Sequence, residues 1–315
     1  MRNRVRRGRP IYVETTIRTS LDTLWNATQD PDQHQRWDVR FDSITSLPTI
    51  DGEPQRFTYA STAVPGFTLA GTGESLGEHD RPDGTRWSGL KFWAEDRRSL
   101  VDRGAGYWRY VPTDDGVRFL TRFDYRVRWG SWGELIDRVL FRPVFGWATA
   151  WSFDRLRLWL EDGVPPEQSR QLAVAHATAV AGLVGVFTYQ GIVPKLWKVD
   201  RDEVSIWQGL GLSPGPARNV VRAVGALEVG FAAATAVRSG ERWPFVVAIA
   251  AMPALGIGAS VADRSSLTRA FNPSSLGLAV GALAGIALAT RRNRPSGRRP
   301  RRSAPDLQPD VGDLP

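Results

Sequence analysis

The 315-residue sequence contains no cysteine. That absence excludes disulfides, thiolate-based zinc sites, cysteine-ligated iron–sulfur clusters and a cysteine nucleophile. Histidine is almost as scarce, and His34, His79 and His176 fall on separate predicted elements, so no metal site is expected from them. A Gly-rich phosphate loop, a dinucleotide fingerprint, a His-Glu-x-x-His helix and a nucleophile elbow are all missing. No catalytic constellation is therefore readable, and no cofactor is evident.

What is present is unevenly spread. The chain is rich in charge and aromatics up to about Gly163, and beyond Gln171 long Ala, Gly, Val and Leu stretches take over. The mildly negative mean hydropathy averages two unlike halves. The net charge of +8 sits largely at the ends, at Arg2, Arg4, Arg6, Arg7 and Arg9 and from Arg291 to Arg302. No reading helix or RNA-type aromatic motif accompanies it, so no nucleic acid is expected as a partner, and anionic lipid headgroups fit the pattern better.

Four segments are expected to cross a membrane: Leu172 to Ile192, Asn219 to Val237, Trp243 to Val261 and Pro273 to Thr290. Each approaches the roughly 20 apolar residues that a hydrocarbon core of about 30 Å requires. The third and fourth carry no charge and give the strongest signal. Gly277, Gly281 and Gly285 recur every fourth residue in the fourth segment, a spacing that permits close helix packing. Arg170, Arg238, Arg242 and the tail arginines lie on the side of the termini. Lys195, Lys198, Arg201, Arg218, Arg264 and Arg269 lie on the other side. The positive-inside rule then places both termini and the soluble domain in the cytoplasm, at the inner (plasma) membrane.

In the first half, Tyr12 to Arg18 reads as a strand, followed by Ser20 as the N-cap of a helix carrying Leu21, Leu24 and Trp25. After a turn at Gln29 to Gln33, alternating segments follow at Asp38 to Leu47, Gln55 to Ala60, Thr68 to Gly77, Thr85 to Ala94, Ser99 to Val111 and Val117 to Arg128. Pro82-Asp83-Gly84 and Asp114-Asp115-Gly116 supply turns, so an antiparallel meander is expected. From Trp132 to Glu161 the period becomes helical, and Pro143 should kink or break the helix. Arg155 and Arg157 beside Trp151 and Trp159 would suit a helix lying on a membrane surface as well as one closing a core.

The opening Ile11 to Thr28, the Gln29-Asp30-Pro31…Trp37-Asp38 turn, the Gly71-x-Gly73-Glu74 strand and the long final helix resemble the START/Bet v1-like superfamily, which includes polyketide cyclase-like proteins. The resemblance implies an α+β helix-grip domain, a curved antiparallel sheet with a long C-terminal helix, and a cavity for a lipid, polyketide or other apolar small molecule. Trp87, Phe92, Trp93, Tyr107, Trp108, Tyr110, Phe119, Phe123 and Trp151 are the candidate cavity residues, against the alternative that they simply fill a core. Asp38, Glu74 and Asp124 would serve as proton donors to a ligand if burial raised their pKa, although exposed strand positions explain them equally well.

His176, the run Tyr189-Gln190-Gly191-Ile192-Val193-Pro194-Lys195, Glu203, Gly225-x-x-Glu228 and Phe271-Asn272-Pro273 make the second half similar to DoxX-like membrane proteins. Some relatives of that family belong to quinone-linked oxidoreductase complexes. The resemblance implies an all-α four-helix transmembrane bundle and a polar site drawn from His176, Gln190, Lys195, Glu228, Asp263 and Asn272. Glu228 in mid-helix is costly unless it is paired or protonated. His176 is either a proton or quinone partner or an interfacial packing residue, and Lys195 and Asp263 have ordinary snorkelling or ion-pair explanations. With one histidine in the bundle, a bis-His haem has no ligand set.

The expected organisation is a basic tail at 1–10, a helix-grip domain at 11–163, a linker at 164–171, the DoxX-like membrane domain at 172–290 and a C-terminal tail at 291–315 that is basic at its start and disordered after Arg302. Three functions follow in order: a membrane-tethered module binding an apolar molecule or lipid that it exchanges with the bilayer; a subunit of a membrane redox assembly handling quinone with a partner protein; and a structural or regulatory scaffold.

Overall fold

The computed structural model describes residues 10–64, 67–262, 268 and 272–303. The chain forms two compact units, residues 1–170 with 295–315, and residues 171–294.

In the first unit, β1 (Ile11–Ile17) leads into α1 (Leu21–Gln29), capped by the Ser20 side chain on the Thr23 N–H. The stretch read as a turn is instead a second helix, α2 (Pro31–Trp37). Asp30 caps it on the Asp32 N–H and proline occupies its first turn, where a missing N–H costs nothing. The strands β2 (Ser43–Ser46), β3 (Arg56–Val64), β4 (Phe67–Asp80), β5 (Arg86–Trp93), β6 (Val101–Thr113) and β7 (Gly116–Val127) follow. The seven strands form one antiparallel sheet in the order β1-β7-β6-β5-β4-β3-β2. The first strand thus closes against the last, as a helix-grip sheet does.

The helical region begins with Trp129 at φ 67°, a left-handed conformation unusual for a large side chain. There follow α3 (Gly130–Ile136), a π-helical turn at Asp137–Phe141 and α4 (Arg142–Asp162). Pro143 sits in the first turn of α4, and the wide turn preceding it accommodates the proline ring and missing N–H without ending the helix. Ala150, Phe153 and Leu156 of α4 are fully buried against Ile11, Val13 and Ile17 of β1 in the main core. Arg155 and Arg157 are buried as well, so α4 closes the sheet and is not a surface helix at this stretch. Arg155 donates to the carbonyls of Arg36, Trp37 and Pro166, and burial lowers its guanidinium to about 10.

The first part of the expected basic C-terminal tail is ordered, and the disorder expected after Arg302 falls almost entirely outside the described residues. Residues 295–303 belong to the first unit, with backbone hydrogen bonds in both directions between Glu14 and Arg301. The Ser296 N–H donates to Asp154, and Gly297 lies against the Trp147 ring with no room for a Cβ. Residues 1–9 and 304–315 lie outside the described residues.

The second unit is helical. Its first helix, α5 (Pro166–Gly191), already begins within the expected linker and runs into a π-helical turn at Ile192–Trp197. Then come α6 (Arg201–Gly209), α7 (Pro214–Val237), α8 (Trp243–Ala262) and α9 (Pro273–Ala289). The short helix α6 was not anticipated; Asp200 caps it. Among the described residues, two helical stretches, Pro166–Trp197 and Pro214–Val237, are long and apolar enough to cross a membrane, and only 22% of each apolar window is buried within the protein. The segments with the strongest sequence signal form the shorter apolar helices of the unit. Side chains such as Leu227, Val237, Ile257 and Leu278 point outward, the arrangement expected where the solvent is lipid. Of the glycine stripe, Gly277 meets Met252 of α8, whereas a Cβ at Gly281 or Gly285 would meet nothing within 4 Å among the described residues.

Candidate functional site

The strand register sorts the nine candidate aromatics. Residues paired across an antiparallel sheet share a face. Phe92 opposes Gly104, Tyr110 opposes Phe119, and Gly106 opposes Phe123, so Phe92, Trp108, Tyr110, Phe119 and Phe123 share the face covered by α4. Trp87, Trp93 and Tyr107 lie on the opposite face. There Trp87 packs 4.8 Å from Tyr107 and beneath the guanidinium of Arg109. Trp151 also leaves the set, because it stacks on Trp147 and under Arg155, off the core. Trp108, Tyr110 and Phe119 are buried and fill the core with Trp37 and Phe153.

Beyond this filled end, the rings of the inner face are only partly covered. Phe41, Phe57, Tyr59, Phe92, Tyr125, Phe141 and Phe145 are all half-buried. Small residues in the sheet make room for them: a Cβ at Gly71, Gly73 or Gly104 would fall within 2.5 Å of the ring of Tyr59, Phe57 or Phe92. Successive rings touch along the cleft, with Phe41 5.6 Å from Tyr59, Phe123 5.4 Å from Phe145, and Phe145 5.2 Å from Phe141.

Two polar groups punctuate this aromatic lining. Asp38 is fully buried at the end of α2, and its carboxylate accepts from Arg40 at 2.8 and 2.5 Å, from Ser152 at 3.2 Å and contacts His34 Nε2 at 3.0 Å. Burial pushes the Asp38 carboxyl up, but Arg40 and His34 outweigh it and hold the group well below the ordinary carboxylate range. Asp38 is therefore an ionised anchor, not the proton donor that burial alone would make it. It fixes the Arg40 guanidinium over Phe41 and Phe145, each 5.4 Å from the ring centre. At the helical side, Asp137 in the π-helical turn accepts from Tyr125 at 2.5 Å and from Arg142 at 2.8 Å. Burial and that hydrogen bond raise the Tyr125 phenol above its ordinary value. Glu74 and Asp124 lie on the outer face, where Lys91 and Arg56 hold Glu74 low. The arrangement suits an apolar molecule with a polar end, and no local pattern in the sequence marks Phe41, Tyr59, Phe141 or Phe145 as lining residues.

In the second unit, Gly191 and Gly225 let two helices touch. A Cβ at Gly225 would lie 2.6 Å from the Lys195 Cβ and 2.8 Å from the Gly191 carbonyl oxygen. That approach, with Glu228 one turn beyond Gly225, brings Lys195 Nζ within 3.1 Å of Glu228 and 3.2 Å of Glu203 on α6. The Gln190 carbonyl accepts from Lys195 at 3.3 Å. Lys195 is buried, and two carboxylates share its single positive charge. His176 stands apart. Its Nδ1 and Nε2 lie 3.0 Å from the carbonyls of Ala287 and Ser239, and Thr290 Oγ1 lies 3.4 Å from Nδ1, so both ring nitrogens face groups of the bundle itself. Asn272 caps α9 on the Ser275 N–H. Asp263, like Phe271, lies outside the described residues. The six expected polar residues are therefore not one site: Lys195, Glu228 and the Gln190 backbone meet, joined by Glu203.

A helix-grip unit with an aromatic cleft and a helical unit with outward-facing apolar surface define a membrane protein of two parts. Residues 184–285 match the DoxX-like family. The chain belongs to the same family as YndG, an uncharacterized membrane protein of Bacillus subtilis strain 168, to which it is 41% identical over 186 residues, 59% of this chain and 69% of that protein. Among solved structures, the first unit is similar to a STAR-related lipid transfer protein fragment from Xanthomonas axonopodis (17% identity, 48% of this chain and 85% of that one, TM-score 0.36). It is also similar to the Zhui aromatase/cyclase from Streptomyces sp. R1128 (14% identity, 47% and 96% coverage, TM-score 0.35).

Proposed function

We propose that this protein is a membrane-tethered binding module whose helix-grip cleft takes up an apolar small molecule or lipid and exchanges it with the bilayer. In this reading α5, α7, α8 and α9 cross the membrane, with both termini cytoplasmic. The observation that carries it is the half-open aromatic lining around Arg40 in a chain whose other half exposes apolar helices. Tethering keeps cavity and lipid at high mutual concentration, so exchange needs no catalytic group. A photoactivatable fatty acid presented to the full-length protein in native-like membranes tests this. Cross-links are expected at Phe41, Tyr59, Phe92, Phe141 or Phe145. Labelling confined to the roughly 800 Å³ groove between α8 and α9, around Met252 and Gly277, would overturn it.

One observation favours a second reading. The buried Lys195 with Glu203 and Glu228 is a polar cluster of the kind that handles protons in membranes. A subunit of a quinone-linked assembly would use it, and purified protein would then carry quinone or copurify with a redox partner.

A further inference from the structure

The segment from Trp129 to Val144 is the most conspicuous apolar surface of the first unit. Trp129, Trp132, Leu135, Val139, Leu140 and Val144 all project into solvent, Trp132 with 74% and Val139 with 68% of its surface exposed. Apart from the adjacent Val139 and Leu140 in the π-helical turn, they are spaced three or four residues apart, which places them on one side of the helical run formed by α3, that turn and the start of α4. The opposite side carries Gly133, Asp137, Phe141 and Phe145, again four residues apart, and these face inward. Gly133 permits this: a Cβ there would lie 1.7 Å from the Arg128 carbonyl oxygen. The same stretch of chain is thus both a wall of the cleft and an uncovered apolar stripe.

A soluble domain does not ordinarily leave such a stripe bare. We propose that this stripe is a membrane-docking surface, inserted into the interfacial layer of the bilayer that holds the rest of the chain, and that the cleft exchanges its apolar ligand there. Three features select a bilayer as the occupant. Tryptophans at the start of the stripe supply rings suited to the headgroup level. Arg138, exposed on the same run, supplies a cation for a lipid phosphate. The membrane half keeps a bilayer within reach at all times. Because Phe141 and Phe145 lie behind the stripe, docking would bring the aromatic lining to the edge of the acyl region.

The inference rests on the binding reading but is tested apart from it. The absence of cysteine allows a unique label at Val139→Cys, and at Glu134→Cys as a control on the polar side. Full-length protein in phosphatidylethanolamine–phosphatidylglycerol nanodiscs with doxyl-labelled acyl chains is expected to show quenching of an environment-sensitive fluorophore at 139 and little at 134. Trp132→Asp with Leu140→Asp should abolish that quenching and slow the uptake of a fluorescent fatty acid without changing final occupancy. A label at 139 that stays accessible to aqueous acrylamide and untouched by doxyl chains would overturn the proposal. So would shielding that disappears on dilution of the nanodiscs, which would assign the stripe to a second copy. If the stripe is quenched but no fatty acid binds, the binding reading fails while the docking surface stands.

Discussion

Replacing Asp38 by alanine leaves Arg40 as a buried cation with no counter-ion. The Arg40 side chain is only 7% exposed, and it loses both hydrogen bonds to the carboxylate while Thr149 remains a single distant acceptor at 3.3 Å. Breaking a buried pair by removing one partner costs about 3–5 kcal/mol. For a domain of this size about 1 kcal/mol moves the melting temperature by roughly 2–4 °C. A drop of about 6–20 °C in the near-ultraviolet circular dichroism transition of the first unit is therefore expected. The double variant Asp38→Ala/Arg40→Met removes the orphaned charge and puts an apolar chain among Phe41, Phe123 and Phe145, so it should recover most of the loss. The pH dependence provides an internal check. The Asp38 pKa is depressed in the folded state, so its contribution is present above the ordinary carboxylate range and is lost as pH falls through the folded value. The single variant should lack that acid-side dependence. A single variant as stable as the parent, or a double variant no better than the single, would refute the view of Asp38 as the anchor of Arg40.

Gly225→Ala should push apart the chains that meet at Gly191 and lower the melting temperature of the detergent-solubilised protein, in line with an overpacking cost of about 1–3 kcal/mol. Lys195→Met strands Glu228 and Glu203 and should cost on the order of 2 kcal/mol, less than a fully buried pair because both carboxylates are partly exposed; adding Glu228→Gln should return part of it. Burial pushes the Tyr59 phenol up to about 12, so its contribution to stability is complete below pH 10 and is lost as pH rises toward 12. Tyr59→Phe should flatten that alkaline slope in equilibrium unfolding.

The alternation of the strands and the apolar runs of the second half were legible because each reports a single local period. The helix α2 lies where turn-forming residues predict a turn, yet the sequence also carries a helix signature there: Asp30 before Pro31 is an N-cap followed by a first-turn proline. Parity along β5 and β6 already separated Trp87, Trp93 and Tyr107 from Phe92, Trp108 and Tyr110. Which set met the helix depended on tertiary packing, and the sequence does not encode that locally. The opening end of the cleft was hidden for the same reason, since Phe41, Tyr59 and Phe145 come from three distant elements and are joined by Arg40. Lys195 and Glu228 were each visible as an unusual charge. Their pairing across 33 positions became readable only through the contact of Gly191 with Gly225.

Native mass spectrometry with lipid extraction on the full-length protein tests the central claim most directly, with Arg40→Met/Phe145→Asp as the comparison. Ligand binding in the cleft predicts one stoichiometric apolar species on the parent protein and its loss from the cleft variant, with the bundle still folded. A parent protein that carries no such species, or a variant that retains it undiminished, would contradict it.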